Sequence, residues 1–520
     1  MIGQGKIVTA TIVMACATSM SRIAGLVRDV VVARLFGAGM VTDAFFMAFT
    51  IPNLLRRFFG EGSLTAAFVP IFSETFHQRG EEEAQKLADR CISLLFLVML
   101  AVVAAGMIFS PWIVQGIGFG FGYIPGKLEL TNQLNRLMFP YIGLVSILAL
   151  VTGILNVRGH FFLPALSPLF LNLCIILSAL TLGSLFDRPI FSLAVGVLVG
   201  GTVQLLMQFP VLFRYRIRFR LNLQFSEDPQ LHRILRLMIP GVVGVAIYQI
   251  NIIVSRLLAS FLPDGSLSYL YYGQRLFEFP QGIFIVSLAQ AALPMMSRQV
   301  AEDDQLGMQQ SLTFALSVIT LFTLPAIIGL ILCAKPIYSL FFFSGEFDSA
   351  ALENTALALI CYAPGLIFVG YSRIASQTFY ALKDTRTPVV VSFWTLLVNL
   401  VAGLVLMKMF GFSGLAMALT LASAFNAFFL LFLLKKKAGS FLQTALLVPI
   451  LKSLPVCAVM GFVVYLLVGL ADWNQPGIDF NKSLVLCLVV VVGVLIYLAG
   501  CYFLKVKEVH QGIRLLMKRK

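Results

Sequence analysis

The chain has 520 residues, 59% of them hydrophobic and only 12% charged, with a formal net charge of +14 and a mean hydropathy of +0.92. That balance excludes a soluble globular protein of this length, and apolar runs that are continuous rather than alternating exclude an outer-membrane β-barrel. What remains is an all-α polytopic membrane protein.

Runs of roughly 20 mostly apolar residues, enough to cross about 30 Å of hydrocarbon, recur from end to end. They predict about fourteen spans, centred near residues 20, 55, 102, 145, 174, 202, 248, 283, 320, 364, 396, 422, 458 and 492. The first span carries SRIAGLVRD at 21–29. Arg22, Arg28 and Asp29 interrupt the apolar core that a cleavable signal peptide would need. On a helix Arg22 and Asp29 share a face, while Arg28 points well round from Asp29 and is expected not to be simply neutralised by it. The second span carries GMVTDAFF and then IPNLLRRFFGEG at 51–62. Pro52 and Gly60 can kink it. Arg57 and Glu61 have the i,i+4 spacing of an ion pair, which leaves Arg56 and Asn53 pointing elsewhere, available to a ligand. Asp43 lies towards the other end of this span and is expected to gate against Arg28.

A charged side chain near the bilayer centre costs about 2.5 kcal/mol or more, so such residues face a partner, a cavity or a pathway. A structural ion-pair network is the competing reading of each cluster. The surplus within the spans is positive, which points to an anionic substrate. Arginine suits a diphosphate because its fork makes paired, charge-assisted hydrogen bonds and keeps its proton.

Further along, GFGFG at 118–122 lacks the strand–turn–helix setting of a dinucleotide site and is set aside. Basic residues gather in alternate loops: Arg79, Lys86 and Arg90; Arg214, Arg216, Arg218 and Arg220; Arg298; Lys383 and Arg386; Lys435, Lys436 and Lys437; and the tail from Lys505 to Lys520. With fourteen alternating spans these share one side, and the positive-inside rule makes it cytoplasmic, with both termini there. The charge is therefore a membrane-topology signal, not a nucleic-acid one. YYGQRLFEFP at 271–280 offers Arg275 and Glu278 at the i,i+3 spacing. Arg256 and Arg373 are further cations in apolar context; Arg373 is read as lying inside a cavity, while Arg256 could equally snorkel to an interface.

An internal repeat organises these elements. Pro70, Pro140 and Pro164 recur 224 residues later as Pro294, Pro364 and Pro388. Leu64, Ala67 and Ser73 recur in step as Leu288, Ala291 and Ser297. Two six-helix lobes are expected, 1–222 and 223–440, with two helices at 441–520 outside the repeat. The Arg56 and Arg275 regions are then counterparts, and basic groups of both lobes are expected to face one central cavity. The eight cysteines form no CxxC pair and read as small buried hydrophobes. There is no HExxH, nucleophile elbow or phosphate-binding loop, hence no expected catalytic residue, metal ligand or cofactor. Without an encoded power source, transport would draw on a cation gradient, the membrane potential or substrate flow.

The stretches TSMSRIAGLVRDVVVARLFGAGMVTDAFFMAFTIPNLLRRFFGEGSLTAAFVPIF and SLSYLYYGQRLFEFPQGIFIVSLAQAALP resemble the lipid II flippase family (MurJ/MviN) of the multidrug/oligosaccharidyl-lipid/polysaccharide exporter superfamily, and the similarity covers essentially the whole chain. The resemblance implies fourteen helices in two lobes around a cationic cavity, with the last two helices forming a lipid-tail groove. It implies functional arginines at Arg22, Arg28, Arg56 and Arg275, and acidic positions at Asp43, Glu61 and Glu278. Gln274 departs from relatives that carry an acid there. Carboxylates that would bind sodium in helices seven, eleven and twelve are missing. The implied activity is translocation of lipid II from the cytoplasmic to the periplasmic leaflet of the bacterial inner membrane by alternating access, with membrane lipids and other wall-synthesis proteins as candidate partners. The alternatives are an exporter of another lipid-linked oligosaccharide, a drug/cation antiporter of the same superfamily, and a non-transporting scaffold or enzyme of wall synthesis.

Overall fold

The computed structural model describes residues 2–59, 63–215, 217, 219–225, 228–439 and 444–510, and these are helical with no strand. Helix is what hydrocarbon demands, because it satisfies every backbone N–H and C=O within one segment. The chain divides into two compact units, Met1–Gly265 and Ser266–Lys520.

The first unit holds α1 (Ile2–Phe36), α2 (Met40–Phe59), α3 (Ser63–Arg79), α4 (Glu81–Ile108), α5 (Ser110–Ile117), a 3-10 turn at Phe119–Tyr123, α6 (Lys127–Met138), α7 (Tyr141–Val157), α8 (Phe162–Leu182), α9 (Phe191–Leu206), α10 (Phe209–Arg214) and α11 (Pro229–Ser260). α4 opens on Glu81, Glu82 and Glu83, acids that suit the positive end of the helix dipole. α11 is capped by Asp228, whose carboxylate accepts the amides of Gln230 and Leu231 and also binds Arg90 at 2.7 Å. The core gathers Phe68, Phe72, Leu87, Ile142 and Ile154 from α3, α4 and α7 and Phe139 from the turn before α7, with Leu231 and Ile234 of α11 against them. α11, expected to open the second lobe, packs here along α3.

α8 and α9 meet through glycine. A Cβ on Gly196 would stand 2.8 Å from the Ile175 backbone, and one on Gly200 would stand 2.7 Å from Leu171. Small residues four apart allow this close approach, and packing contacts carry helix association where lipid is as apolar as the helix.

The second unit holds α12 (Ser266–Pro280), a π-helical turn (Gln281–Ile285), α13 (Val286–Ala301), α14 (Gln305–Phe341), α15 (Ser349–Tyr362), α16 (Gly365–Ala381), α17 (Arg386–Ala438), α18 (Thr444–Val468) and α19 (Phe480–Phe503). Two of the expected span centres, 396 and 422, share α17, whose 53 residues break at Gly411 with φ 60°. Nine helices among the described residues are long and apolar enough to cross a bilayer, ten if the bent pair α15–α16 is one span.

α18 and α19 stand outside the sequence repeat but are joined to α14. The Tyr497 hydroxyl donates to the Leu321 carbonyl at 2.7 Å, and buried Lys482 donates to Ser339 at 3.2 Å. Val456, Met460, Val464 and Val489 close the apolar contact around them. The cysteines depart from expectation at three positions: Cys16 and Cys487 are exposed and Cys174 is half-buried, while Cys91, Cys333, Cys361, Cys457 and Cys501 are buried. Of the basic clusters, Arg216, Arg218 and the tail beyond 510 lie outside the described residues.

Between α16 and α17, Asp384 binds Lys437 from the far end of α17 at 2.7 Å and accepts the Thr387 amide and hydroxyl. Burial raises its carboxyl, but these donors outweigh burial and hold it at about 2, below its ordinary 3.8. A depressed folded value means the stabilisation is complete above the ordinary value and is lost as the pH falls towards the folded one. The stability gap between the wild type and Asp384→Asn, followed by thermal unfolding in detergent, should narrow as pH drops from about 4 to about 2. Separately, Gly196→Leu should destabilise the first unit by about 1–3 kcal/mol through overpacking, read as a lower unfolding temperature, with Val199→Leu on an exposed position near wild type.

Candidate functional site

The charged residues expected to matter fall on α1 and α2 in the first unit and on α12 and α16 in the second. On α1, Arg28 is 11% exposed and Asp29 1%. Arg28 Nε and Nη2 both donate to Asp29 Oδ1, at 3.0 and 2.6 Å, and Nη1 donates to Asn172 Oδ1 at 3.1 Å. Asn172, on α8, turns its own amide to the Ser21 carbonyl at 3.2 Å. The expectation that Arg28 escapes neutralisation by Asp29 is corrected. Neighbouring helix positions diverge in direction, but the arginine stem is long enough to curl back over one residue. Arg22, two turns earlier, is exposed and makes no hydrogen bond or ion pair among the described residues.

On α2, Arg56 is half-buried and its Nε donates to Asn53 Oδ1 at 3.0 Å. The expected Arg57–Glu61 pair lies outside the described residues, as do Gly60 and the Arg57 side chain. Asp43, expected to gate against Arg28, is engaged elsewhere: its Oδ2 accepts Lys127 Nζ at 2.9 Å and the Gly265 amide at 2.8 Å. Lys127 is fully buried, Asp43 is 1% exposed, and Lys127 also binds Asp264 Oδ1 at 2.6 Å. Removing one partner of such a buried pair generally costs about 3–5 kcal/mol.

In the second unit, Arg275 and Glu278 of α12 lie 3.7 Å apart, and Gln274 donates to the same carboxylate at 3.2 Å. Both charged groups are more than a third exposed, so the pair is weak. The π-helical turn follows directly after Pro280. Arg373, on α16, is half-buried and makes no ion pair among the described residues. Arg256, on α11, is half-buried and has a partner.

Three residues at these sites escaped the sequence reading. Lys127 stands just after Gly126, and Asp264 stands inside a Pro-Asp-Gly stretch. Asn172 is one polar residue in an apolar run. The only available signal was that a lysine and an asparagine sit beside or within spans that have no need of them.

The sequence model described as lipid II flippase MurJ matches residues 32–478. The chain belongs to the lipid II flippase MurJ family. A probable lipid II flippase MurJ of Vibrio cholerae serotype O1 is 34% identical over 512 residues, covering 96% of this chain and 97% of that protein. The lipid II flippase MurJ of Burkholderia cenocepacia is 33% identical over 425 residues, covering 81% and 82%. Among solved structures, a lipid II flippase MurJ in an inward closed conformation superposes with a TM-score of 0.79 at 30% identity, covering 95% of this chain and 98% of that one. An inward-facing multidrug resistance MATE family transporter of the MOP superfamily gives 0.70 at 14% identity, covering 83% and 99%, a likeness of fold alone.

Within this MurJ family member, Asn172 is the bridge between α8 and the charged end of α1. Asn172→Leu keeps the volume but strips Arg28 of one acceptor and the Ser21 carbonyl of its donor. It should destabilise the protein by about 1–3 kcal/mol, read by thermal unfolding of the purified protein, with Asn172→Gln intermediate.

Proposed function

We propose that this protein moves lipid II from the cytoplasmic to the periplasmic leaflet of a bacterial inner membrane by alternating access, with both termini cytoplasmic. What carries the reading is membership of the MurJ family over nearly the full chain, joined to arginines on membrane helices that are not fully neutralised. The diphosphate of lipid II is the group they would bind. Arg22 and Arg373, which make no ion pair among the described residues, and Arg275, whose side chain is 35% exposed, are the cations best placed to exchange water for phosphate oxygens. Arg28 and Arg56 already spend donors on Asp29, Asn172 and Asn53, which suits them to shaping the site's charge. We assign the polyprenyl tail to the exposed apolar surface of α18 and α19, which includes Val459, Phe462, Leu488 and Leu495.

Purified protein in liposomes, supplied with fluorescent lipid II on one leaflet, tests the reading. Wild type should equilibrate the label between leaflets. Arg22→Ala and Arg275→Ala should each slow translocation by about 10- to 100-fold, the loss expected for a charge-assisted contact. Lysine at either position should recover part of the rate, because it keeps the charge without the fork. Full activity of both alanine variants at normal membrane levels would remove the diphosphate assignment.

A further inference from the structure

The GFGFG motif at 118–122 has no part in the function proposed above, yet its backbone is built into a tight joint. Gly120 lies so close to the end of α11 that a Cβ there would stand 2.4 Å from the Ser260 carbonyl oxygen. The Gly120 amide donates to the Ser260 hydroxyl at 3.0 Å. Phe119 and Tyr123 flank Phe261, with ring centroids 6.1 and 6.4 Å away. Beyond the turn, Lys127 opens α6 and places its ammonium 4.1 Å from the Phe121 ring, between Asp43 and Asp264. Residues 118–127 thus hold the last residue of α11 and the short link that follows it, 261–265. That link ends at the boundary of the two units: Gly265 closes the first and Ser266 opens the second.

The charges in this joint are not equivalent. Lys127 and Asp43 are both sealed from solvent, but Asp264 is 42% exposed. If the link lifted away, Asp264 would pass into water and Lys127 would keep Asp43 as its counter-ion. No buried charge would be stranded, so the joint opens at small electrostatic expense. Gly265, at φ +87°, adopts a conformation that side-chain-bearing residues avoid, and its amide donates to Asp43, a bond that would part together with Lys127–Asp264.

We propose that residues 118–127 form a docking cradle for the 261–265 link, in which Lys127–Asp43 is the permanent pair and Lys127–Asp264 the releasable one, so that the link is seated in one state of the transport cycle and lifted in the other. Lys127, Asp264 and Gly120 are positioning residues: they act on where the link lies and need not touch substrate. A transport cycle with two states is taken from the function proposed above, but the joint itself is not.

The test uses full-length protein with its eight cysteines replaced and a single reporter, Leu262→Cys, at a link position that is 9% exposed. A membrane-impermeant maleimide reads how often the link lifts, without lipid II present. Asp264→Asn should raise the labelling rate by about fivefold, the shift expected on losing one charge-assisted hydrogen bond to a half-exposed partner. Rising salt should speed labelling of the parent and leave Asp264→Asn unmoved, since only a partly exposed ion pair is screened; a merely structural role would show no such difference. Asp264→Glu should restore slow labelling. Gly120→Ala should label faster still, and if it does not fold, Asp264→Asn alone decides. Equal labelling of parent and Asp264→Asn at every salt concentration overturns the cradle. Parallel lipid II assays separate the two readings. A parent that labels as expected but never moves lipid II would sink the transport function and leave the joint standing. A parent that moves lipid II while Asp264→Asn labels and transports identically would do the reverse.

Discussion

An ionised side chain at the depth of hydrocarbon must be paired, hydrated or bound to a ligand, and much of the polar architecture of this protein follows from that demand. Arg28 draws on Asp29 and Asn172, and Asn172 in turn secures the backbone of α1 at Ser21. Lys127 draws on Asp43 and Asp264 and thereby fixes the beginnings of α2 and α6 against the segment that ends the first unit. In each case a charge needing a partner ties together helices that apolar packing alone would leave free to slide. Arg22 and Arg373 make no ion pair among the described residues.

Where charge does not dictate the contact, small residues do. Gly196 and Gly200 let α9 reach the backbone of α8, and Gly120 does the same for the end of α11. α18 and α19 use a different device. Tyr497 and Lys482 carry polar tips into the side of α14, so two helices outside the repeat are held by hydrogen bonds as well as by Val456 and Val489. The repeat and the compact units also divide the chain differently. The expected repeat puts a boundary before α11, while packing keeps α11 with α3 and the 118–127 segment.

Much of the fold was legible from composition, because long apolar runs in a chain of this hydropathy can only be membrane helices. The break in α17 was legible too, as two span centres on either side of Gly411. Site residues were legible as types, since an arginine in an apolar run announces itself. Their partners were not. Arg28 was assigned away from Asp29 by helix geometry, which describes Cβ directions and ignores the reach of a long side chain. Asp43 was matched with Arg28 from their places on adjoining helices, and the lysine 84 residues on that donates to Asp43 was not foreseen.

The sequence by itself determined the class of protein, the helical state of its backbone and the excess of positive charge within the apolar runs. Each of these is a local or periodic property, set by hydropathy and by backbone hydrogen bonding in lipid. Only the tertiary structure decided which charges are balanced, that GFGFG is a close-packing surface, and that Asp264 is the exposed member of a buried cluster. Those outcomes depend on burial and on distances between residues far apart in the chain, such as the 144 positions that separate Arg28 from Asn172. Pairing energy in a low-dielectric interior falls with separation in space and is indifferent to separation in sequence.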